Sequence, residues 1–349
     1  MVTTRRVAVD SAAPDPAILA EAGGIVRSGG LVAFPTETVY GLGANALDER
    51  AVARIFSAKD RAASDPVIVH LASLAEIGHA AAVVPPLALA LGARFWPGPL
   101  TLVLPKRPEV PARVTAGRDT VGLRVPRHPV ALGLILAAGV PVAAPSANRF
   151  TRTSATRAEH VLDDLDGRVD LILDAGPAPI GIESTIVAIE GARVRLLRPG
   201  AIPAEEIAAL IAPLGGTLVT GAARDAEAPG LMKRHYAPRA RLTLFRGLPE
   251  RAVAAAIARA RADQTAGRRA GLLLAGDDAP AVALDGLVVE RIGRRGDLEA
   301  IAHGLFAALR RLDRAGAETI AAPGFGDEGL GAAILDRLTR AADGRVVRV

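Results

Sequence analysis

Apolar residues along the chain fall into two alternating rhythms. Leu31 to Phe34, Val67 to Leu71, Leu100 to Leu104 and Asp170 to Asp174 are short and apolar, and read as buried strands. Between them lie longer segments with helix start and stop signals. Asp15-Pro16 opens a helix that runs to about Ser28, where Gly29-Gly30 ends it. Asp48 caps a second helix through Ala58. Ser73-x-x-Glu76 and Thr156-x-x-Glu159 read as capping boxes, in which a hydroxyl and a carboxylate satisfy each other's backbone N–H groups. Pro85 to Phe95, Pro129 to Ala138 and Pro203 to Ala212 read as further helices. Thr120 to Pro126 is a short strand, and Ile182 to Val187 turns at Glu190-Gly191 to return as Val194 to Arg198. Helix and strand thus alternate over residues 1–212, but the hairpin breaks a purely doubly wound pattern. The expectation is α/β: a mixed twisted sheet flanked by helices.

Over 213–240 the periodicity lapses, and the segment reads as a linker. Pro229 to Pro238 is nevertheless unlike a flexible linker, which is rich in Gly and Ser. It holds Met232, Lys233, His235 and Tyr236, so it is expected to dock on something. Beyond it, Arg241 to Phe245, Gly271 to Leu274, Val288 to Ile292 and Glu318 to Ala322 read as strands, with helices around 250–262, 298–315 and 330–342. That pattern predicts a second, parallel α/β domain over 241–349.

Composition narrows the chemistry. Hydrophobic residues make up 50% of the 349 residues and aromatics only 3%, so the core must be built from Ala, Val, Leu and Ile. The absence of cysteine excludes disulfides, thiolate nucleophiles and thiolate metal sites. No apolar run approaches the roughly 20 residues that span a bilayer, and no secretory signal is visible after Arg5-Arg6, so a cytoplasmic protein without a membrane partner is expected. The net charge of +5 permits an RNA or nucleotide partner without demanding one. Among 42 cationic residues only Lys59, Lys106 and Lys233 are lysines, which marks them as positions where a guanidinium need not substitute. There is no Walker phosphate loop, no His-Glu-x-x-His, no metal spacing among the six histidines and no Gly-x-Ser-x-Gly elbow. Gly324-Phe-Gly326-Asp-Glu-Gly329 has the spacing of a dinucleotide turn. It lies too near the end for a following strand with a ribose-binding acid, so it reads as a helix-start turn.

Several strand ends carry small polar clusters. Val140 to Ala144 leads into Pro145-Ser146-Ala147-Asn148, whose hydroxyl and amide suit an oxygen-rich ligand or simply a turn. Pro35 to Gly43 brings two hydroxyls, a carboxylate and two glycines after another strand. Lys59 and Arg61 follow a helix, where they either complement its dipole or converge on a polyphosphate. Arg124 stands among apolar residues, so a carboxylate of the protein or of a ligand must meet it.

In their order along the chain, these stretches resemble the threonylcarbamoyl-AMP synthase family in its two-domain form. The matching pieces are Pro35-Thr-Glu-Thr-Val-Tyr-Gly-Leu-Gly43, Lys59-x-Arg61, Asp65-Pro-Val-Ile-Val-His70, Trp96-Pro-Gly-Pro-Leu-Thr101 and Gly122-Leu-Arg-Val-Pro126. Pro145-Ser-Ala-Asn148, Glu183-Ser-Thr-Ile-Val187, Leu197-Arg-Pro-Gly200, His235-Tyr-Ala-Pro238 and Gly329 to Leu338 complete the set. Ala62 stands where the family usually has Pro, Asp65-Pro-Val67 where it usually has Asn-Pro-Leu, and Arg149 to Thr153 replaces a common x-Ser-Gly.

The resemblance implies a YrdC-like catalytic domain over 1–212, a linker over 213–240 lying across the active site, and a Rossmann-like domain over 241–349. It implies a nucleotidyltransferase that joins L-threonine, bicarbonate and ATP into threonylcarbamoyl-adenylate, releasing pyrophosphate. Partner transferase proteins would then modify tRNA next to the anticodon, with weak binding of tRNA or other double-stranded RNA on a basic concave face. Lys59 and Arg61 would stabilise the ATP phosphates and act in catalysis. Thr36, Thr38, His70, Arg124, Ser184 and the backbone of Ala144 would contact threonine. Asp65, Thr120, Ser146, Asn148, Ser154 and Arg198 would hold the nucleotide, with Tyr236 closing over it from the linker. Mg²⁺ would accompany ATP without a dedicated protein cage. A carbamoyltransferase of hydrogenase maturation shares the catalytic domain but carries cysteine zinc modules, which are absent here. A non-enzymatic RNA-binding or ribosome-maturation factor would explain the charge but not the Arg124, Ser184 and linker constellation.

Overall fold

The computed structural model describes residues 3–221, 227–279 and 282–349. The chain divides into two compact units. The first comprises residues 1–150, 154–179 and 183–231; the second comprises residues 151–153, 180–182 and 232–349.

Eleven strands form the sheet of the first unit. In spatial order they are Arg5–Ala8, Leu171–Asp174, Val32–Phe34, Gly41–Asn45, Val142–Ala143, Ile68–His70, Thr120–Arg124, Leu100–Pro105, Thr185–Glu190, Arg193–Arg198 and Thr217–Thr220. Parallel and antiparallel neighbours are interspersed, as expected for a mixed sheet. Thr217–Thr220 pairs in parallel with Arg193–Arg198, so the segment read as linker from residue 213 begins as an edge strand. Its four residues are too few to display a period, which is why the sequence pattern misses it.

Helices pack on both faces of this sheet. Asp15 caps Pro16–Arg27 by accepting from Ala17 N at 2.8 Å, and Asp48 caps Glu49–Lys59 by accepting from Arg50 N at 2.8 Å. Pro16–Arg27 lies against Pro129–Ala138 so closely that a Cβ on Gly23 would sit 2.5 Å from the backbone of Ala137. One core gathers Leu31, Ile55, Leu71, Leu91, Leu100 and Leu123; the other gathers Leu19, Val26, Phe34, Leu134 and Leu171.

The capping boxes are not realised. Ser73 makes no side-chain cap; instead Glu76 accepts from Ala72 N at 3.0 Å ahead of a 3₁₀ turn, Leu74–His79. Helix Ala158–Leu165 has Arg157 at its cap, and the backbone N–H of Thr156 donates to His160 Nδ1 at 3.2 Å. Glu159 turns outward to pair with Arg6. A surface cation and a nearby imidazole thus compete successfully for the groups of the expected box.

The second unit holds a five-stranded, all-parallel sheet in the order Val288–Ile292, Ala270–Ala275, Thr319–Pro323, Arg241–Arg246, Val346–Arg348. Helices Pro249–Thr265, Leu298–Arg314 and Gly329–Ala342 connect most of them. This is the parallel α/β domain expected, extended by the edge strand Val346–Arg348.

Candidate functional site

The loop after strand Val32–Phe34 is drawn inward by its own side chains. Thr36 Oγ1 donates to Val39 O at 2.6 Å and accepts from Thr38 N at 3.1 Å, closing a tight turn. Thr36, Glu37 and Thr38 are all buried as a result. Arg124, at the end of strand Thr120–Arg124, reaches into this turn. Its Nη2 donates to Glu37 Oε1 at 2.6 Å, its Nη1 to Thr38 Oγ1 at 3.0 Å, and its Nε to Gly98 O at 3.2 Å. The turn Trp96 to Leu100 therefore helps to aim the guanidinium.

The carboxylate that meets Arg124 is the protein's own Glu37, a residue the sequence reading did not select. Of the two alternatives open for the buried cation, a carboxylate of the protein is the one seen here. Burial pushes the Glu37 carboxyl up, but the Arg124 guanidinium overrides it and holds Glu37 below the usual carboxylate range. Both terminal nitrogens of Arg124 retain an N–H beyond these bonds, which a second carboxylate could accept.

His70 sits beside this pair, since its Cα is in register with that of Arg124 on the neighbouring parallel strand. Burial and the adjacent Arg124 cation push its imidazole down to about 3, so it is neutral at physiological pH. Its Nδ1 is buried without a hydrogen-bond partner, an unsatisfied group pointing to a polar ligand. Ala144 N donates to Ile68 O at 2.9 Å, so any ligand contact at Ala144 falls to its carbonyl.

Ser184 lies just before strand Thr185–Glu190. Its hydroxyl is 2.9 Å from Thr101 Oγ1 and accepts from Arg198 Nη2 at 3.2 Å. Arg198 also grips the Ser184 carbonyl through Nε at 3.2 Å and Nη2 at 2.9 Å. Thr101 is a second residue the sequence reading passed over. Ser154 donates to Glu183, placing another predicted hydroxyl next to the Ser184 segment.

A third cluster forms where helix Glu49–Lys59 ends at Asp60, which adopts a left-handed φ of 52°. Lys59 is fully buried, and its ammonium donates to the carbonyls of Ser146 and Asn148. Phe150 N returns a bond to Lys59 O at 2.9 Å, and Asp60 pairs with Arg149 and Arg168. The loops around 59–66 and 146–150 are thereby fastened together. Arg61 lies between the rings of Phe56 and Phe150, with Cζ 5.8 and 5.6 Å from their centroids. Its Nη2 is 2.9 Å from Asp65 Oδ2, so Asp65 faces the cation four residues earlier. Burial nevertheless pushes the Asp65 carboxyl up, against the opposing pull of Arg61, Lys59, Arg198 and Arg118. Four cations thus act at one buried spot. Arg118, which the sequence reading missed, lines a small crevice with Thr120, Thr101 and Pro66.

Thr36, Thr38, Lys59, Arg61, Asp65, His70, Thr120, Arg124, Ala144, Ser146, Asn148, Ser154, Ser184 and Arg198 all lie in the first unit. Tyr236 belongs to the second unit. There its ring stacks on Phe306 at 5.7 Å, with Arg337 Cζ 5.1 Å from its centroid. It is a packed residue with a left-handed φ of 58°, in the segment expected from its composition to dock.

A mixed α/β unit with buried arginines, hydroxyls and a neutral histidine at its strand ends has the make-up of an enzyme for anionic substrates. The comparisons specify which. Residues 24–200 match the family model described as "Telomere recombination" (Sua5, YciO, YrdC), and residues 202–343 match "Threonylcarbamoyl-AMP synthase, C-terminal domain". The chain is 45% identical to the threonylcarbamoyl-AMP synthase of Bacillus subtilis, across 96% of this chain and 95% of that protein. It is 44% identical to the Pyrococcus abyssi enzyme of that name, across 94% and 95%. The crystal structure of P. abyssi Sua5 complexed with L-threonine superposes with a TM-score of 0.89 at 40% identity, covering 100% of this chain and 99% of the other. The chain belongs to the threonylcarbamoyl-AMP synthase family.

Proposed function

We propose that this chain converts L-threonine, bicarbonate and ATP into L-threonylcarbamoyladenylate and pyrophosphate, for transfer by partner proteins to tRNA. The observation that carries the reading is Arg124, a buried guanidinium with N–H groups to spare. It is flanked by Thr38 and by a neutral His70 whose Nδ1 has no partner in the fold. Such a site suits a small zwitterion: the guanidinium takes the carboxylate, while hydroxyls of Thr38 and Ser184 and the carbonyl of Ala144 take the ammonium or side chain. The L-threonine complex of the P. abyssi relative supports this choice.

The chemistry follows from position and field. The threonine amine, once deprotonated, adds to the carbon of bicarbonate, and loss of water leaves a carbamate. A carbamate oxygen then attacks the α-phosphorus of ATP, and the bond to the β-phosphate oxygen breaks as pyrophosphate leaves. Negative charge grows on that leaving group. The cations around Asp65, namely Lys59, Arg61, Arg198 and Arg118, supply a prearranged field to stabilise it. Lys59 also fixes the Ser146 and Asn148 carbonyls, so its charge and the shape of the nucleotide loop go together.

Thr120, Ser146, Asn148 and Ser154 are assigned to the nucleotide in this reading. Asp65 acts as the carboxylate that orients Arg61. Tyr236 packs on Phe306 and Arg337 within the second unit. Among the described residues no group of three or more His, Cys, Asp or Glu side chains could hold a metal ion. Mg²⁺ is assigned to the ATP phosphates and water in this reading. Among the described residues no helix is long and apolar enough to cross a membrane. The test is mass-spectrometric detection of threonylcarbamoyladenylate with ¹³C-bicarbonate. A product carrying one label supports the reading, and unlabelled AMP as the only new nucleotide refutes it.

A further inference from the structure

The second unit contains a cavity of about 590 Å³ that the reaction above does not use. It is lined by Arg246, Arg295, Gly324, Phe325, Asp327 and Arg348, among others. Its place in the fold is specific. Strands Arg241–Arg246 and Thr319–Pro323 are parallel neighbours, and the cavity opens past their carboxyl ends. From Arg241–Arg246 the chain crosses, through helix Pro249–Thr265, to Ala270–Ala275 on one side. From Thr319–Pro323 it crosses, through helix Gly329–Ala342, to Val346–Arg348 on the opposite side. The two connections leave in opposite directions, so the cavity lies at the topological switch point of the sheet, the crevice where open α/β folds take their ligands.

The side chains there are mispaired for a purely structural role. Arg246 and Arg348 are register partners on adjacent strands. Like charges placed directly opposite destabilise a sheet. Among the described residues neither guanidinium has a hydrogen bond or ion pair, and Asp327 is the only carboxylate side chain in the cavity lining. Arg295 differs: Asp278 holds it, and its Nη1 donates to Gly324 O at 3.0 Å, so it braces the Gly324 to Gly326 turn. The cavity volume is that of a small-molecule site. We propose that the second unit binds a phosphate-bearing small molecule in this crevice, with Arg246 and Arg348 as the paired guanidinium groups that take the phosphate oxygens. The site is separate from the one assigned to ATP in the first unit.

Hydrogen–deuterium exchange on the full chain tests this, with inorganic pyrophosphate and AMP as separate probes, on wild type and on R246A/R348A. Neither arginine has a partner to lose and their mutual repulsion is relieved, so the double variant should unfold at or above the wild-type temperature. Wild type should show slowed exchange over 244–248 and 323–329 with at least one probe. The double variant should need at least about tenfold more probe for the same protection, as expected for two lost charge-assisted bonds. Its exchange over 59–66 and 146–150 should respond as in wild type. Equal protection by both probes supports a site that reads the phosphate alone; protection by AMP only supports one that also reads a nucleoside. Protection confined to the first unit, or unchanged in the double variant, overturns the proposal.

Discussion

Arg124 Nη2 lies 2.6 Å from Glu37 Oε1, and each side chain is only 5% exposed. The contact ties the turn after strand Val32–Phe34 to the end of strand Thr120–Arg124 and fixes the orientation of the guanidinium. Removing one member of such a pair leaves a buried charge uncompensated, at about 3–5 kcal/mol. Glu37→Ala is expected to lower the unfolding free energy by about that amount in urea melts. Glu37→Gln, which keeps an acceptor for the Arg127 N–H, should lose less. Equal stability of Glu37→Ala and wild type would contradict the pairing.

The state of His70 makes stability depend on pH. Its imidazole is pushed from 6.5 down to about 3 in the folded chain. Below pH 6.5 the unfolded chain takes up a proton that the folded chain refuses, so stability falls as pH falls towards 3. The slope from this one group approaches about 1.4 kcal/mol per pH unit. Glu37, held low, keeps its contribution until well into the carboxylate range, and Asp65, pushed up by burial, is common to wild type and variant. His128 is also pushed down, by burial, so the comparison is between wild type and His70→Asn. Unfolding curves below pH 6.5 should be shallower in pH for the variant.

Lys59 combines a charge with two main-chain contacts. Lys59→Met should reduce pyrophosphate release by more than about a hundredfold, through loss of field and loop geometry. It should also cost about 1–3 kcal/mol for each carbonyl left unsatisfied. Lys59→Arg should not restore activity, because a planar guanidinium cannot occupy a pocket shaped for a point charge. Steady-state rates with matched thermal melts check both statements.

Gly200 closes the motif Leu197-Arg-Pro-Gly200 against the Ser184 segment. A Cβ there would sit 2.3 Å from Thr185 N and 2.4 Å from Ser184 C, both main-chain atoms with little room to move. Gly200→Ala is expected to destabilise the first unit by about 1–3 kcal/mol and to raise the KM for threonine by displacing Ser184. Urea melts and a threonine titration of the rate would show it.

Much of this site was legible in the sequence. Lys59 ends a helix, and Arg61 and Asp65 follow its C-cap within six residues, so their closeness could be read from local signals. Arg124 could be recognised as a cation in need of a carboxylate. Its partner could not, because the 87 positions from Glu37 to Arg124 are bridged only by the sheet register. Thr101 escaped for the same reason: it meets Ser184 through the pairing of strands Leu100–Pro105 and Thr185–Glu190, not through spacing. The edge strands Thr217–Thr220 and Val346–Arg348 are too short to show alternation. Tyr236 lies in a segment read as linker because its periodicity lapses, but expected from its composition to dock; the partners it meets, Phe306 and Arg337, are 70 and 101 positions away and could not be read from spacing.

The central claim is that one site joins three substrates. Pyrophosphate release measured with ATP and Mg²⁺, with L-threonine and bicarbonate omitted in turn, tests it most directly. Release that requires both omitted components is the predicted result. Release that persists without either, or no release alongside tight, salt-sensitive RNA binding, would contradict it.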